Sequence, residues 1–206
     1  MMPPLCGSAS AAVMVLLATA GCSGSPPPPK RADLAPADVA RRAIEQYDAN
    51  HDGKIDAAEI EKSPALAAMA AAMNSQPDGT LSEDQIAQRA AQWLKEPCAR
   101  VSHMAVIDLD GQPLQGATVT FEPEECMGPA YHASTAVTDQ AGQCFPPGDD
   151  PTYPGLSPGL YRIRVSKLVD GRETVPARYN AQTELGVEAT AASRHGAFLP
   201  LHLQSR

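Results

Sequence analysis

Within the stretch Asp48 to Glu59, DANHDGKIDAAE, four carboxylates and a carboxamide are crowded into twelve residues. Asp48, Asn50, Asp52, Asp56 and Glu59 take positions 1, 3, 5, 9 and 12 of this stretch. Gly53 at position 6 permits a left-handed turn that residues with a Cβ resist. An all-oxygen donor set around a tight turn suits calcium, a hard cation that takes about six to eight oxygens. Without a cation, carboxylates held this close repel one another. Calcium is therefore the expected cofactor, with Asp48, Asn50, Asp52, Asp56 and Glu59 as candidate oxygen donors. A plainer reading covers part of the pattern, because Asp56-x-x-Glu59 is also a helix capping box. It leaves Asp48, Asn50, Asp52 and Gly53 unexplained.

The spacing resembles the calcium loop of the EF-hand family. That resemblance implies that Lys54 ligates through its backbone carbonyl at position 7, completing the set Asp48, Asn50, Asp52, Lys54, Asp56 and Glu59. It also implies that Glu59 binds with both oxygens, Asp56 acts through a water, and the aliphatic Ile55 pairs with a partner loop. Tyr47 and Ile60 flank the loop as packing positions of the two helices. A second copy follows in NSQPDGTLSEDQ, aligning Gly79 with Gly53, Leu81 with Ile55 and Ile86 with Ile60. Its ligand positions are Asn74, Gln76, Asp78, Thr80 (backbone), Ser82 and Gln85. Asp78 alone is charged, and Gln85 replaces the closing Glu. One carboxylate compensates poorly for stripping water from a divalent ion. The second loop is expected to support the first rather than fill.

Helices must position these loops, and the sequence supplies them over residues 37–96. Pro36 suits a helix start, and Val39, Ala43, Ile44 and Tyr47 form an apolar stripe. Ser63-Pro64 breaks the next helix, and PALAAMAAAM leads to the second loop. Met69 and Met73 share a face, a spacing that favours core packing. Ser82-x-x-Gln85 caps a last helix in which Ile86, Ala90, Trp93 and Leu94 share a side.

From residue 98 to 206 the pattern alternates instead. VSHMAVID, GATVTFEPE, HASTAVTD, GLYRIRVSK, LGVEAT and FLPLHL read as strands, separated by Asp110-Gly111, Ala141-Gly142, Pro158-Gly159 and Asp170-Gly171. Short strands at this spacing predict an antiparallel β-sandwich, so the fold class is α + β in two modules. DLDGQPLQGATVTFEP, VTDQAGQC and PGLYRIRVS resemble the carboxypeptidase regulatory-like, or transthyretin-like, sandwich. The tail ETVPARYNAQTELGVEA looks like the ending of that module in bacterial lipoproteins that carry EF-hands before it. The resemblance implies a structural or binding module.

The apolar run Ala11 to Ala20 is too short to span a bilayer, which takes roughly 20 residues, and has the length of a signal-peptide core. ATAGC resembles the lipobox of bacterial lipoproteins, with Thr19 where that family usually has Leu. The resemblance implies a signal peptide over 1–21, lipidation at Cys22 and, from Ser23, an outer-membrane destination at the periplasm or cell surface. A plain secretory signal is the alternative. SGSPPPPKRADLAP then reads as a stiff polyproline tether, 22–36 with the cysteine.

The formal charge is −8, from 16 basic and 24 acidic residues. An acidic surface disfavours nucleic acid and anionic lipid as partners, because both are polyanions. Export permits disulfides, and a hairpin around Asp110-Gly111 would bring Cys98 and Cys126 to one end, leaving Cys144 apart; three free, buried thiols are the alternative. GLSPG matches a hydrolase nucleophile string, but Pro158 and a strand follow it where a helix is required. His51, His103, His132, His195 and His202 lack the paired spacing of zinc sites. No enzyme is expected. The expected role is a calcium-binding, membrane-tethered component of the cell envelope, with an unidentified envelope protein or polysaccharide as partner. The alternatives are an accessory module of an extracytoplasmic hydrolase complex, or an adhesion module. His103, His132 or His202 within about 3 Å of a carboxylate in a cleft would favour the enzymatic alternative.

Overall fold

The computed structural model describes residues 27–73, 79–148, 152–191 and 198–206. The expected signal peptide 1–21, Cys22, His195, and Asn74, Gln76 and Asp78 of the second loop lie outside the described residues.

Pro36 opens α1 (Pro36–Tyr47), whose stripe Val39, Ala40, Ala43 and Tyr47 is buried. The single turn α2 (Ala57–Ile60) and α3 (Pro64–Ala72) follow, and Ser63 Oγ starts α3 by accepting from Leu66 N. The helix α4 (Glu83–Trp93) buries Ile86, Ala90 and Trp93 and packs along α1. Between the helices, β1 (Lys54–Ile55) and β2 (Leu81–Ser82) pair antiparallel. Ile55 lies opposite Leu81, and both are fully buried.

The β half runs through β3 (Met104–Leu109), β4 (Gln112–Pro113), β5 (Thr118–Pro123), β6 (Ser134–Val137), β7 (Gln143–Cys144) and β8 (Gly159–Ser166). It continues through β9 (Leu168–Val169), β10 (Arg172–Glu173), β11 (Gly186–Ala189) and β12 (Phe198–Leu203). Every alternating string of the sequence is present as a strand. One antiparallel sheet has the order β11-β8-β5-β6. In the other, β12 flanks β3 on one side and β4 and β7 flank it on the other. Val119, Phe121, Ile163 and Val165 of the first sheet and Ala105, Ile107, Leu199 and Leu201 of the second are buried in one cluster, as alternation requires.

Two features depart from a turn-linked antiparallel sandwich. β12 runs parallel to β3, from Phe198 beside Met104 to Leu203 beside Leu109. Parallel neighbours need a crossover, and the whole intervening sandwich supplies it. Asp110-Gly111 returns the chain only to β4, after which β5 enters the other sheet.

The helices form a third layer. Residues opposite one another in a ladder share a face. Arg162 lies opposite Gly186 and Leu160 opposite Glu188, so these side chains line the outer face of the first sheet. There α3 lies against β11 and β8. Gly186 makes the approach possible, because a Cβ on it would stand 2.3 Å from Ala65 N. Helical and β halves thus share one buried cluster.

The Pro-rich segment, expected to stand off as a spacer as far as Pro36, touches the body at Pro27, Arg31 and Leu34. Tyr153 donates to the Pro27 carbonyl, and Leu34 is buried. The Arg31 guanidinium donates to the Glu96 carbonyl just past α4, where carbonyls lack helical partners. Among the described residues, no helix is long and apolar enough to cross a membrane.

Candidate metal site

The loop from Asp48 to Glu59 grows out of α1 without a break, for Asp48 N donates to Ile44 O at 3.0 Å. That bond fixes the direction in which the first carboxylate leaves the helix. Asp48 is buried, and its two oxygens accept from Asp52 N at 3.2 Å and Gly53 N at 2.8 Å. Gly53 has φ +83, the left-handed turn read from the sequence. Asn50 Oδ1 also accepts from Asp52 N, at 2.8 Å, and Asp52 Oδ1 accepts from Lys54 N at 2.9 Å. His51 is exposed with φ 59.

The far end closes through Glu59, which is also buried. Its Oε1 accepts from Ala49 N at 2.7 Å and Asn50 N at 3.2 Å, reaching back across the loop. Its Oε2 accepts from Asp56 N, and Asp56 Oδ1 accepts from Glu59 N, each at 2.9 Å. The capping box is therefore complete, and the same carboxylate ties position 12 to positions 2 and 3. Lys54 and Asp52 lie on the exposed side.

For a hard cation the donor chemistry fits. Every side-chain donor in the set is an oxygen, and the buried Asp48 and Glu59 approach the backbone of residues 49–53 from opposite ends. Here the carboxylates are satisfied by the loop's own N–H groups. Among the described residues, no group of at least three His, Cys, Asp or Glu side chains stands at metal-holding spacing.

In the second loop, Gly79 has φ +67, and Ser82 and Gln85 form the same reciprocal box. Ser82 N donates to Gln85 Oε1 at 2.8 Å, and Gln85 N to Ser82 Oγ at 3.3 Å. Thr80 immediately precedes β2.

Sequence reasoning missed two buried carboxylates outside the loops. Glu124 follows β5, and its side chain is 0% exposed. It accepts from Tyr47 Oη at 2.5 Å, from Ser63 Oγ at 2.8 Å and from the Arg162 guanidinium at 2.9–3.1 Å. Burial, then the Glu124 charge, raises the Tyr47 pKa, and the hydrogen bond to Glu124 raises that of Arg162. Glu188 on β11 accepts from Arg89 Nε at 2.6 Å and Trp93 Nε1 at 2.7 Å on α4. Each carboxylate binds a helix of one loop to the sheet. Within FEPEEC and GVEA neither shows a spacing that marks it.

The expected Cys98–Cys126 disulfide is absent: Cys98, Cys126 and Cys144 are free thiols. The pairing assumed that β3 and β5 were hairpin partners, and they belong to different sheets. Cys98 is exposed and Cys126 buried, its carbonyl accepting from Arg42 Nε at 3.0 Å. Burial pushes the Cys126 thiol up to about 12 and the Cys144 thiol up to about 11. Both stay protonated and unreactive near neutrality.

His202 Nδ1 stands 2.5 Å from Asp108 Oδ2, in a groove also lined by Asp110, Ser205 and Arg206. This is the contact named above as favouring an enzyme. The His202 side chain is 76% exposed, a setting in which ion pairs are weak. Ser157 of GLSPG is buried, its Oγ accepting from Arg100, and β8 follows it directly. No protein-family model matches the chain, and no curated protein matches it.

Proposed function

We propose that this chain is an exported, lipid-anchored calcium-binding protein of the cell envelope. One ion is held by Asp48, Asn50, Asp52, the Lys54 carbonyl, Asp56 and Glu59. The observation that carries this reading is the likeness of the two loops. Each turns on a left-handed glycine, pairs through its eighth residue and closes with a capping box. The neutral pair Ser82 and Gln85 makes that box as well as Asp56 and Glu59 do. The extra charge of the first loop is therefore superfluous to the cap and suits a cation.

Bound calcium supplies a cross-link between the two ends of the loop, and in this way it stiffens the junction of α1 with α2. Asp48 and Glu59 are the residues that bring those ends together. The helices beside the loops are held to the sheet by Glu124 and Glu188, which favours a structural ion over a switch that opens a groove. Extracellular modules bind calcium at about 10⁻⁴ to 10⁻³ M, a range suited to that role. The resemblance to transthyretin-like sandwiches supports a binding or structural role for the β half, with an envelope protein or polysaccharide as partner.

The test is thermal unfolding with calcium and with chelator. Binding to the folded state alone raises the midpoint, and Glu59→Gln abolishes the rise. An equal midpoint in both conditions for the unsubstituted chain would contradict the proposal. A second reading, an accessory role in hydrolysis, has His202 with Asp108 in its favour. Hydrolysis of an ester or glycoside probe that is lost in His202→Ala would establish it.

A further inference from the structure

We propose that Glu124, in the β half, is a positioning residue for the calcium loop and couples occupancy of that loop to the sheet. The inference rests on the calcium reading of residues 48–59 and assigns a role to a residue outside them. Its ground is a juxtaposition: one buried carboxylate holds the chain on both sides of the loop. Tyr47, whose Oη donates to Glu124 Oε2 at 2.5 Å, immediately precedes Asp48. Ser63, whose Oγ donates to Glu124 Oε1 at 2.8 Å, follows Glu59 by a single hydrogen-bonded turn. Within that turn Lys62 N donates to Glu59 O at 3.1 Å and Ser63 N to Ile60 O at 3.0 Å. No flexible link therefore separates Ser63 from the last ligand position.

Glu124 is held in turn. Arg162, in the middle of β8, grips both carboxylate oxygens, and Glu124 N donates to Leu160 O at 3.0 Å. A movement that draws Asp48 and Glu59 together shifts Tyr47 and Ser63, and both lead to β8. Coupling of this kind is reciprocal: whatever loosens Glu124 weakens calcium, and calcium rigidifies β8. Glu188 provides a contrast, because it is also buried and carries an Arg and an indole, but its partners Arg89 and Trp93 lie far along α4 from the first loop.

The experiment measures calcium affinity by titration calorimetry on the full chain, Glu124→Gln and Glu188→Gln. Hydrogen exchange of the Leu160–Ser166 amides is followed with and without calcium in the same proteins. The expected result is an affinity loss of about tenfold in Glu124→Gln, within the usual range of coupling between sites. The calcium-induced protection of β8 should vanish in that variant. Glu188→Gln should lower the melting temperature and leave the affinity within about twofold, since it touches nothing bonded to the loop. Equal affinities in Glu124→Gln and the unsubstituted chain would overturn the inference and leave the calcium reading standing. Equal losses in both variants would overturn it too, by showing a general effect of instability. No binding by the unsubstituted chain would overturn the inference together with the reading it rests on. If Glu124→Gln fails to fold, Tyr47→Phe removes only the phenolic hydroxyl. Weakened calcium binding there supports the coupling, and unchanged binding overturns it.

Discussion

At position 6 the two loops of the helical half turn on Gly53 and Gly79, with φ of +83 and +67. At position 8 Ile55 and Leu81 face one another, and at positions 9 and 12 each loop closes by the same reciprocal hydrogen bonds. They differ in what those closing positions carry, Asp56 and Glu59 in one and Ser82 and Gln85 in the other. Hydroxyl and carboxamide suffice for the scaffold. Scaffold and charge are thus separable, and the charge of the first loop needs its own explanation.

If the scaffold is truly shared, its two central residues should matter alike. Ile55→Ala and Leu81→Ala each delete a fully buried side chain from the pairing. Each should destabilise by about 3 kcal/mol, read by urea unfolding. A loss confined to one of them would break the equivalence. The converse change sharpens it: Gln85→Glu gives the second loop a closing carboxylate, a second charge in its ligand positions after Asp78. A second, weaker calcium event should then appear in calorimetry, while the single substitution Ser82→Asp adds only an outer donor and less affinity.

Smaller effects separate the capping role of Asp56 from the ligand role proposed for it. In chelator, Asp56→Ala and Ser82→Ala should each cost about 1 kcal/mol, the worth of an N-cap. Calcium should widen the gap for Asp56→Ala alone, because only that residue carries ligand charge. The smallest effect concerns the thiols. In a chain begun at Pro27, one cysteine, Cys98, should react promptly with a thiol reagent at neutral pH, while Cys126 and Cys144 resist. Their folded pKa values are raised by burial from 9.0 to about 12 and about 11. The unfolded thiols therefore lose protons first, and stability declines as pH rises through the interval from about 9 to about 12.

Much of this was legible locally. The glycine at position 6, the helix starts at Pro36 and Pro64, and the alternation of LYRIRV depend on neighbours in sequence, and each appears where the residues place it. What sequence could not show were partnerships over distance. Asp110-Gly111 signals a turn, yet nothing nearby states that β5 leaves for the other sheet, and the disulfide expectation fell with that assumption. Glu124 and Glu188 read as ordinary surface acids, because their partners Tyr47, Ser63, Arg89 and Trp93 lie 61 to 99 residues away in the chain. The docking of the Pro-rich segment is likewise a distant partnership, which depends on Arg31 meeting the carbonyls beyond α4.

The most direct test of the central claim is titration calorimetry of calcium into the full chain, beside Glu59→Gln and Asp48→Ala. One binding event, lost in both variants, is the predicted result. No heat up to about 10 mM calcium, above the range of even weak extracellular modules, would contradict it and leave residues 48–59 as a capped acidic turn.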